Sequence, residues 1–162
     1  MKIEEGKLYF IKDKYFELFK NEHLMQNKEN GNKRPCYLCF RDEKNPIILW
    51  FIPISHKVDK YKLLYKQKKK NHKTVLNFVF GNILNEEKAF LIQNIFPVTE
   101  QYIIGKYVNK RKDVEINYEL KNKIISYAKE LIKLTEERYH KIAFNDIIKM
   151  KNILLEENTI NV

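Results

Sequence analysis

Three consecutive residues, Ser55, His56 and Lys57, combine a hydroxyl, an imidazole and an ammonium group. They follow an apolar run, residues 47–54, that is typical of a strand buried on both faces. At the end of such a strand the three side chains leave the core together and can face one phosphate group. Histidine is the residue that enzymes use most often for proton transfer, and cations stabilise charge that develops on an oxygen. The alternative interpretation is a helix start, with Ser55 as N-cap and the next two residues merely solvated.

Two other motifs point to metals but do not fit a metal site. Cys36-x-x-Cys39 resembles half a zinc site, yet it lies in a predicted strand where positions i and i+3 face opposite ways, so we predict two buried thiols. Asp59 followed by Glu86-Glu87-Lys88 resembles a metal-nuclease pattern, but we interpret residues 85–88 as a solvated hairpin turn. No acidic cluster suggests magnesium-dependent hydrolysis, so we expect no metal and no other cofactor.

Lysines are concentrated in one segment. The chain of 162 residues has a net charge of +10, and residues 55–73 contain eight lysines and one acidic residue, a net charge of +7. A local field of this size points to a polyanion as partner. The lysines that we predict to bind this polyanion are in this segment and near the N-terminus: Lys14, Lys33, Lys60, Lys62, Lys66, Lys68, Lys69 and Lys70.

Length and composition favour a single domain over residues 1–162. The longest apolar run has eight residues, far short of the roughly 18 that would suggest a membrane span. The N-terminus carries no apolar stretch typical of a signal peptide, and two cysteines do not make a disulfide scaffold. We therefore expect an intracellular, cytoplasmic protein.

The hydrophobic pattern predicts an α+β fold with short strands between about residues 7 and 108. Expected strands cover residues 7–11, 36–40, 47–54, 74–80, 89–96 and 102–108, with an early helix after Asp13 and helix-like spacing in the basic segment. From Asn117 the period changes to that of a helix that runs to about Ile142, and Asn145 or Asp146 caps a last helix, so helices span about 117–157. The most compact arrangement of such strands is a small, curved antiparallel barrel.

Three segments resemble the ToxN/AbiQ toxins of type III toxin–antitoxin systems. Residues 7–15 match a strand-then-helix opening with Tyr15 early in the helix, residues 33–38 place Arg34 before the second strand, and residues 52–57 carry a Pro-apolar-hydroxyl motif with a nearby lysine. The lysine-rich residues 58–65 favour the CptN-like branch. The sequence departs from the family at His56, where a second hydroxyl is often found.

The resemblance implies a curved barrel related to MazF-type toxins and a metal-independent endoribonuclease. In such an enzyme the 2′-hydroxyl of RNA attacks the phosphate and leaves a 2′,3′-cyclic phosphate. It also implies inhibition by a repeated, pseudoknotted RNA antitoxin that the toxin cuts from its precursor, within a toxin–RNA hetero-oligomer. Tyr15, Arg34, Ser55 and Lys57 match the active-site groove, and His56 joins them as a proton-transfer candidate.

Two other functions stay open from the residues alone. The basic segment would also suit an RNA-binding module without catalysis, in which residues 55–57 only start a helix. The lysines, 27 against 4 arginines, also fit the codon bias of an AT-rich genome, which would allow a protein-interaction subunit.

Overall fold

The computed structural model, which describes residues 1–29, 31–138 and 143–160, places an antiparallel sheet against two long C-terminal helices. The strands are β1 (Leu8–Ile11), β2 (Lys28–Glu29), β3 (Asn32–Lys33), β4 (Cys36–Arg41), β5 (Leu49–Ser55), β6 (Phe78–Ile83), β7 (Glu86–Leu91), β8 (Phe96–Val98), β9 (Ile103–Lys106), β10 (Val108–Asn109) and β11 (Lys112–Asp113). The helices are α1 (Asp13–Leu18), α2 (Val58–Lys69), α3 (Tyr118–Arg138) and α4 (Ile147–Ile160). Short 3₁₀ turns cover Ile92–Asn94 and Glu100–Tyr102.

The main sheet has the strand order β6-β7-β5-β4-β1-β9, and β8 also pairs with β5. Strand β5 is its centre, because it contacts β4, β7 and β8 and is buried along nearly its whole length. This confirms the prediction that the apolar run is buried on both faces. The α+β class and the C-terminal helical pair are also confirmed.

The predicted closed barrel is not confirmed. The two terminal strands of the main sheet, β6 and β9, have no pairing with each other among the described strands. The sheet therefore ends in two open edges, and part of its inner face is covered by α3 through Ile124, Ala128 and Leu131, which are fully buried.

The predicted fourth and fifth strands are displaced along the sequence. Strand β6 begins at Phe78 rather than Thr74, and β7 begins at Glu86, so the segment predicted as a turn is mostly strand. The turn itself is only Leu84-Asn85, with φ values of 51° and 65°. Residues 89–96 are not one strand, because the 3₁₀ turn separates β7 from β8.

At the C-terminus, α3 is described to Arg138, and the predicted helix end at Ile142 lies outside the described residues. Asp146 caps α4, since its Oδ1 accepts a hydrogen bond from the Lys149 N–H at 3.2 Å. Asn145 is buried and donates to the carbonyl oxygens of Asn94 and Ile95, which fixes the start of α4 on the sheet. Within the described residues, every helix is too short or too polar to cross a membrane.

Candidate active site

An open cleft lies at the end of β5, between the β6–β7 hairpin on one side and strands β1 and β9 on the other. It comprises two adjoining cavities of about 380 and 880 Å³. Both cavities are lined by the same six residues, Arg34, Pro35, His56, Glu86, Lys88 and Tyr107. We refer to the two cavities together as the cleft. Its lining brings together residues that are up to 99 positions apart in the sequence, from Leu8 to Tyr107.

The strand register explains why His56 lies at the centre of the cleft. On one side of β5, Cys36 pairs with Pro53, so the residues before β4 run alongside the end of β5. On the other side, Ser55 pairs with Ala89, and one further step of that register sets His56 beside Lys88. His56 therefore has a cationic side chain on each side, Arg34 from the β4 side and Lys88 from the β7 side.

Arg34 is half-buried and held by its backbone. Its N–H donates to the carbonyl oxygen of Asn27 at 2.6 Å, and Nη1 lies 3.5 Å from Sδ of Met25. These contacts connect the segment before β4 to the polar stretch that follows α1. The guanidinium is thus placed at the cleft wall by backbone geometry, and a planar guanidinium is suited to recognise a phosphate.

Ser55 and Lys57 flank His56 but do not line the cleft. Ser55 is 4% exposed, and its Oγ accepts a hydrogen bond from the Lys57 N–H at 3.1 Å. Helix α2 begins at Val58 with Lys57 as N-cap, so Ser55 is not the helix cap. The hydroxyl instead fixes the tight exit from β5, where His56 and Lys57 are both exposed.

Tyr15 is separated from the cleft. Its ring is fully buried among Phe19, Phe96 and Tyr102, and its hydroxyl donates to the carbonyl oxygen of Pro97 at 2.5 Å. Burial raises the pKa of this phenol well above its ordinary value. The predicted contact of Tyr15 with RNA is therefore not supported, because the ring and its proton are already used in the core.

The structure adds cleft residues that the sequence analysis missed. Lys88 and Glu86 form an ion pair, Nζ to Oε2 at 2.9 Å, and the hydrogen bond from Lys88 lowers the pKa of Glu86. The aromatic rings of Phe10 and Tyr107 pack edge to face with centroids 5.7 Å apart. Half-buried rings beside cations are the combination that single-stranded nucleic acids use for stacking and phosphate contact.

The basic helix α2 starts directly after the His56 turn and packs on the β6–β7 hairpin. Tyr61, Leu64 and Tyr65 contact a small core formed by Val75, Phe78, Ala89 and Leu91. Two of its lysines are engaged: Lys62 pairs with Glu87 at 2.7 Å, and Lys69 donates to the carbonyl oxygen of Lys73.

The remaining predicted RNA-binding lysines occupy several surfaces. Lys60, Lys66 and Lys70 are exposed on or just after α2, and Lys68 is partly exposed. Lys33 lines the larger cavity and lies 3.4 Å from the Asp13 carboxylate, whereas Lys14 is exposed on α1, outside the cleft lining. Among the residues that the structure describes, no group of three or more His, Cys, Asp or Glu side chains could hold a metal ion.

Comparison with known proteins identifies the fold. No protein-family profile and no curated protein matches the sequence. The structure, however, is similar to that of AbiQ, described as a lactococcal anti-phage endoribonuclease belonging to the type III toxin–antitoxin system. The TM-score is 0.70 at 15% sequence identity, over 96% of this chain and 99% of AbiQ. The chain thus has the AbiQ fold, and the resemblance to the ToxN/AbiQ family seen in the sequence is confirmed at the level of the fold.

Proposed function

We propose that this protein is an endoribonuclease toxin of a type III toxin–antitoxin system. The observation that carries the proposal is the cleft itself: in a chain with the AbiQ fold, Arg34 and His56 lie together beside half-buried aromatic side chains. Two of the five residues predicted for phosphate chemistry, Arg34 and His56, thus line an open cleft. The open shape suits a flexible polymer more than a small enclosed substrate.

RNA supplies its own nucleophile in the reaction that we propose. The 2′-oxygen bonds to phosphorus while the bond from phosphorus to the 5′-oxygen breaks, which leaves a 2′,3′-cyclic phosphate and a 5′-hydroxyl. His56 takes the proton from the 2′-hydroxyl or gives one to the departing 5′-oxygen, and water exchanges the other proton. Arg34 and Lys57 balance the negative charge on the phosphate, so these steps need no metal ion.

Ser55 contributes a hydroxyl to the same turn. In its bond to Lys57 the oxygen is the acceptor, so the proton of this nearly buried hydroxyl remains for donation to a phosphate oxygen that reaches the strand exit beside the cleft. Lysines of α2, which continue from the cleft, bind the RNA backbone without sequence preference. Tyr15 acts from the core, by packing beneath the first strand and helix.

The partner that we propose is a repeated, pseudoknotted RNA antitoxin. The toxin cuts this RNA from a precursor and then remains bound to it in a toxin–RNA hetero-oligomer in the cytoplasm. A tandem-repeat locus directly upstream of the gene is the expected genomic signature. Co-expression of that RNA should suppress growth arrest, and an RNA of one repeat length should co-purify with the protein.

The test of activity uses purified, RNA-free protein and single-stranded RNA in EDTA. We expect cleavage with 2′,3′-cyclic phosphate and 5′-hydroxyl ends, identified by end-specific ligation. Cleavage that appears only with added magnesium would contradict the mechanism. Binding of RNA without any cleavage would instead identify a non-catalytic RNA-binding module.

A further inference from the structure

We propose that Lys88 is a catalytic residue of this cleft and that Glu86 is the anion that occupies it until RNA arrives. The inference rests on the proposed endoribonuclease function and assigns a role to two residues that the sequence analysis placed in a solvated turn. In this role the Lys88 ammonium contacts a non-bridging oxygen of the scissile phosphate. Glu86 leaves the ammonium when that oxygen binds.

The geometry of β7 supports this assignment. Residues i and i+2 of a strand share a face, so Glu86 and Lys88 point to the same side of the hairpin. Both side chains line both cavities of the cleft. Lys88 precedes Ala89, the cross-strand partner of Ser55, and lines both cavities together with His56, which places an ammonium near the proposed proton-transfer group.

The exposures of the two side chains differ in the direction that an exchange requires. The Lys88 side chain is 23% exposed, whereas that of Glu86 is 73% exposed. The lysine is therefore held in the cleft wall, and the carboxylate reaches it from the solvent side. An exposed ion pair contributes little to stability, so an incoming phosphate oxygen can replace the carboxylate with little loss of free energy.

The chemistry needs a cation at this position. During attack the 2′-oxygen bonds to phosphorus before the 5′-oxygen has fully left, and negative charge accumulates on the two non-bridging oxygens. Preorganised donors aimed at such oxygens stabilise the transition state. Arg34 and Lys88, on opposite sides of His56, can each bind one oxygen, while the imidazole carries out one of the two proton transfers.

A glutamate away from the cleft provides a matched control. Glu43 also pairs with a lysine, Lys129 of α3, at 2.8 Å, and its side chain is 80% exposed. Neither residue lines the cleft or belongs to the predicted RNA-binding set. Neutralising Glu86 or Glu43 changes the net charge of the protein by the same amount, but only Glu86→Gln removes a carboxylate from the cleft.

Two measurements test the inference. Single-turnover cleavage in EDTA should fall about 10²–10³-fold for Lys88→Ala, as for loss of one oxyanion donor, and Lys88→Arg should recover part of the rate. The control Lys129→Ala, which breaks an exposed ion pair with Glu43, should keep the wild-type rate. Binding of a 2′-deoxy-substituted RNA, which cannot be cut, should tighten several-fold for Glu86→Gln and stay unchanged for Glu43→Gln.

The outcomes separate this inference from the function on which it rests. If the wild type cuts RNA and Lys88→Ala cuts it at the same rate, only the role of Lys88 is overturned. Weaker binding or a 10²-fold slower rate in Glu86→Gln overturns the exchange, because Glu86 would then assist the reaction directly. A wild-type protein that does not cut RNA overturns the proposed function, and the catalytic role with it. Circular dichroism and thermal melts of each variant show whether a lost rate reflects a lost fold.

Discussion

At the scale of single residues, His56 is the group on which the chemistry depends most. It is exposed at the end of a buried strand and lines both cavities of the cleft. His56→Ala should slow single-turnover cleavage by roughly 10²–10⁴-fold, because a positioned proton-transfer group typically contributes that much. The rate is measured with RNA-free enzyme across a range of pH.

The variant His56→Ser distinguishes two roles for the same side chain. The family resemblance places a hydroxyl here in many relatives, so serine should retain more activity than alanine if hydrogen bonding to phosphate is the requirement. A His56→Ala enzyme with the wild-type rate and an unaltered pH profile would make the imidazole a spectator. The reaction would then depend on Ser55, Lys57 and Arg34.

Substitution of Ser55 should affect both the structure of the turn and the reaction. Its hydroxyl accepts the Lys57 N–H, and loss of such a local bond costs about 0.5–2 kcal/mol. We expect Ser55→Ala and Lys57→Ala each to relieve growth arrest in cells while the purified variants remain folded. Growth curves and thermal melts check the two halves of this expectation. Full toxicity of both variants would contradict the site assignment.

At the scale of elements, helix α2 should govern the salt dependence of RNA binding. Each phosphate contact of single-stranded RNA contributes about 0.7 to the slope of log K against log salt. Replacing Lys68, Lys69 and Lys70 with alanine should therefore flatten the slope by up to about 2. The matched triple variant Lys129, Lys133 and Lys149 to alanine removes the same charge from α3 and α4. An equal effect of the two triple variants would mean that binding senses only net charge.

A second prediction at this scale concerns the contact between β6 and α3. A Cβ atom at Gly81 would overlap the side chain of Leu120, so the strand and the helix approach closely only because this residue is glycine. Gly81→Ala should destabilise the fold by about 1–3 kcal/mol, the usual cost of overpacking. The double variant Gly81→Ala, Leu120→Ala should lose less than the sum of the single variants in urea unfolding. Additive losses would show that the two sites do not touch.

The hairpin β6–β7 also shows where sequence-based reasoning fails. Runs of apolar residues located β1, β4 and β5, and the helical period located α3 and α4. The turn Leu84-Asn85 was missed because its two left-handed residues include a leucine, whereas hairpin turns of this kind usually carry Asn-Gly or Gly. With the turn misplaced, Lys88 was assigned to a solvated loop rather than to the cleft.

The candidate site was predictable only in part, for a related reason. The motif at residues 55–57 is local, so its position at a strand exit follows from hydrophobicity alone. The neighbours of His56 depend on the register of β5 with β4 and β7, which joins segments far apart in sequence. The sequence alone does not show whether a tyrosine such as Tyr15 lies in a binding groove or in the hydrophobic core, because its position depends on the packing of distant segments.

At the scale of the whole molecule, Asp42 connects the sheet to the C-terminal helices. Its Oδ2 accepts hydrogen bonds from Trp50 Nε1 at 3.0 Å and from Lys151 Nζ at 2.8 Å. Burial raises the pKa of Asp42, but the hydrogen bonds from Lys151 and Trp50 outweigh it, so the pKa is lowered. The ionised Asp42 carboxylate therefore stabilises the fold, and protonation at acid pH removes this contribution.

Asp42→Asn should lower the free energy of unfolding by about 2–4 kcal/mol at pH 7, because Lys151 loses its buried partner. A carboxyl whose pKa is lowered in the folded state stabilises the protein at pH values above its unfolded-state pKa of about 4. This stabilisation is lost as the pH falls through the folded-state pKa. Denaturation at several pH values should therefore show the gap between variant and wild type closing below about pH 4. Glu43→Gln, which removes the exposed neighbouring carboxylate, should change little at any pH; a constant gap for Asp42→Asn would contradict the assignment.

The two buried cysteines of β4 allow the local opening of this strand to be measured by thiol labelling. Cys36 is 4% exposed and Cys39 is fully buried, and burial raises the pKa of Cys36 to about 12 and that of Cys39 well above its ordinary value. A thiol reagent therefore reacts only after the strand opens, and its rate reports the free energy of that opening. A ligand that binds the folded state slows the reaction in proportion to its saturation. Thiol labelling can thus rank uncuttable RNAs by affinity without any dye, tag or cleavage.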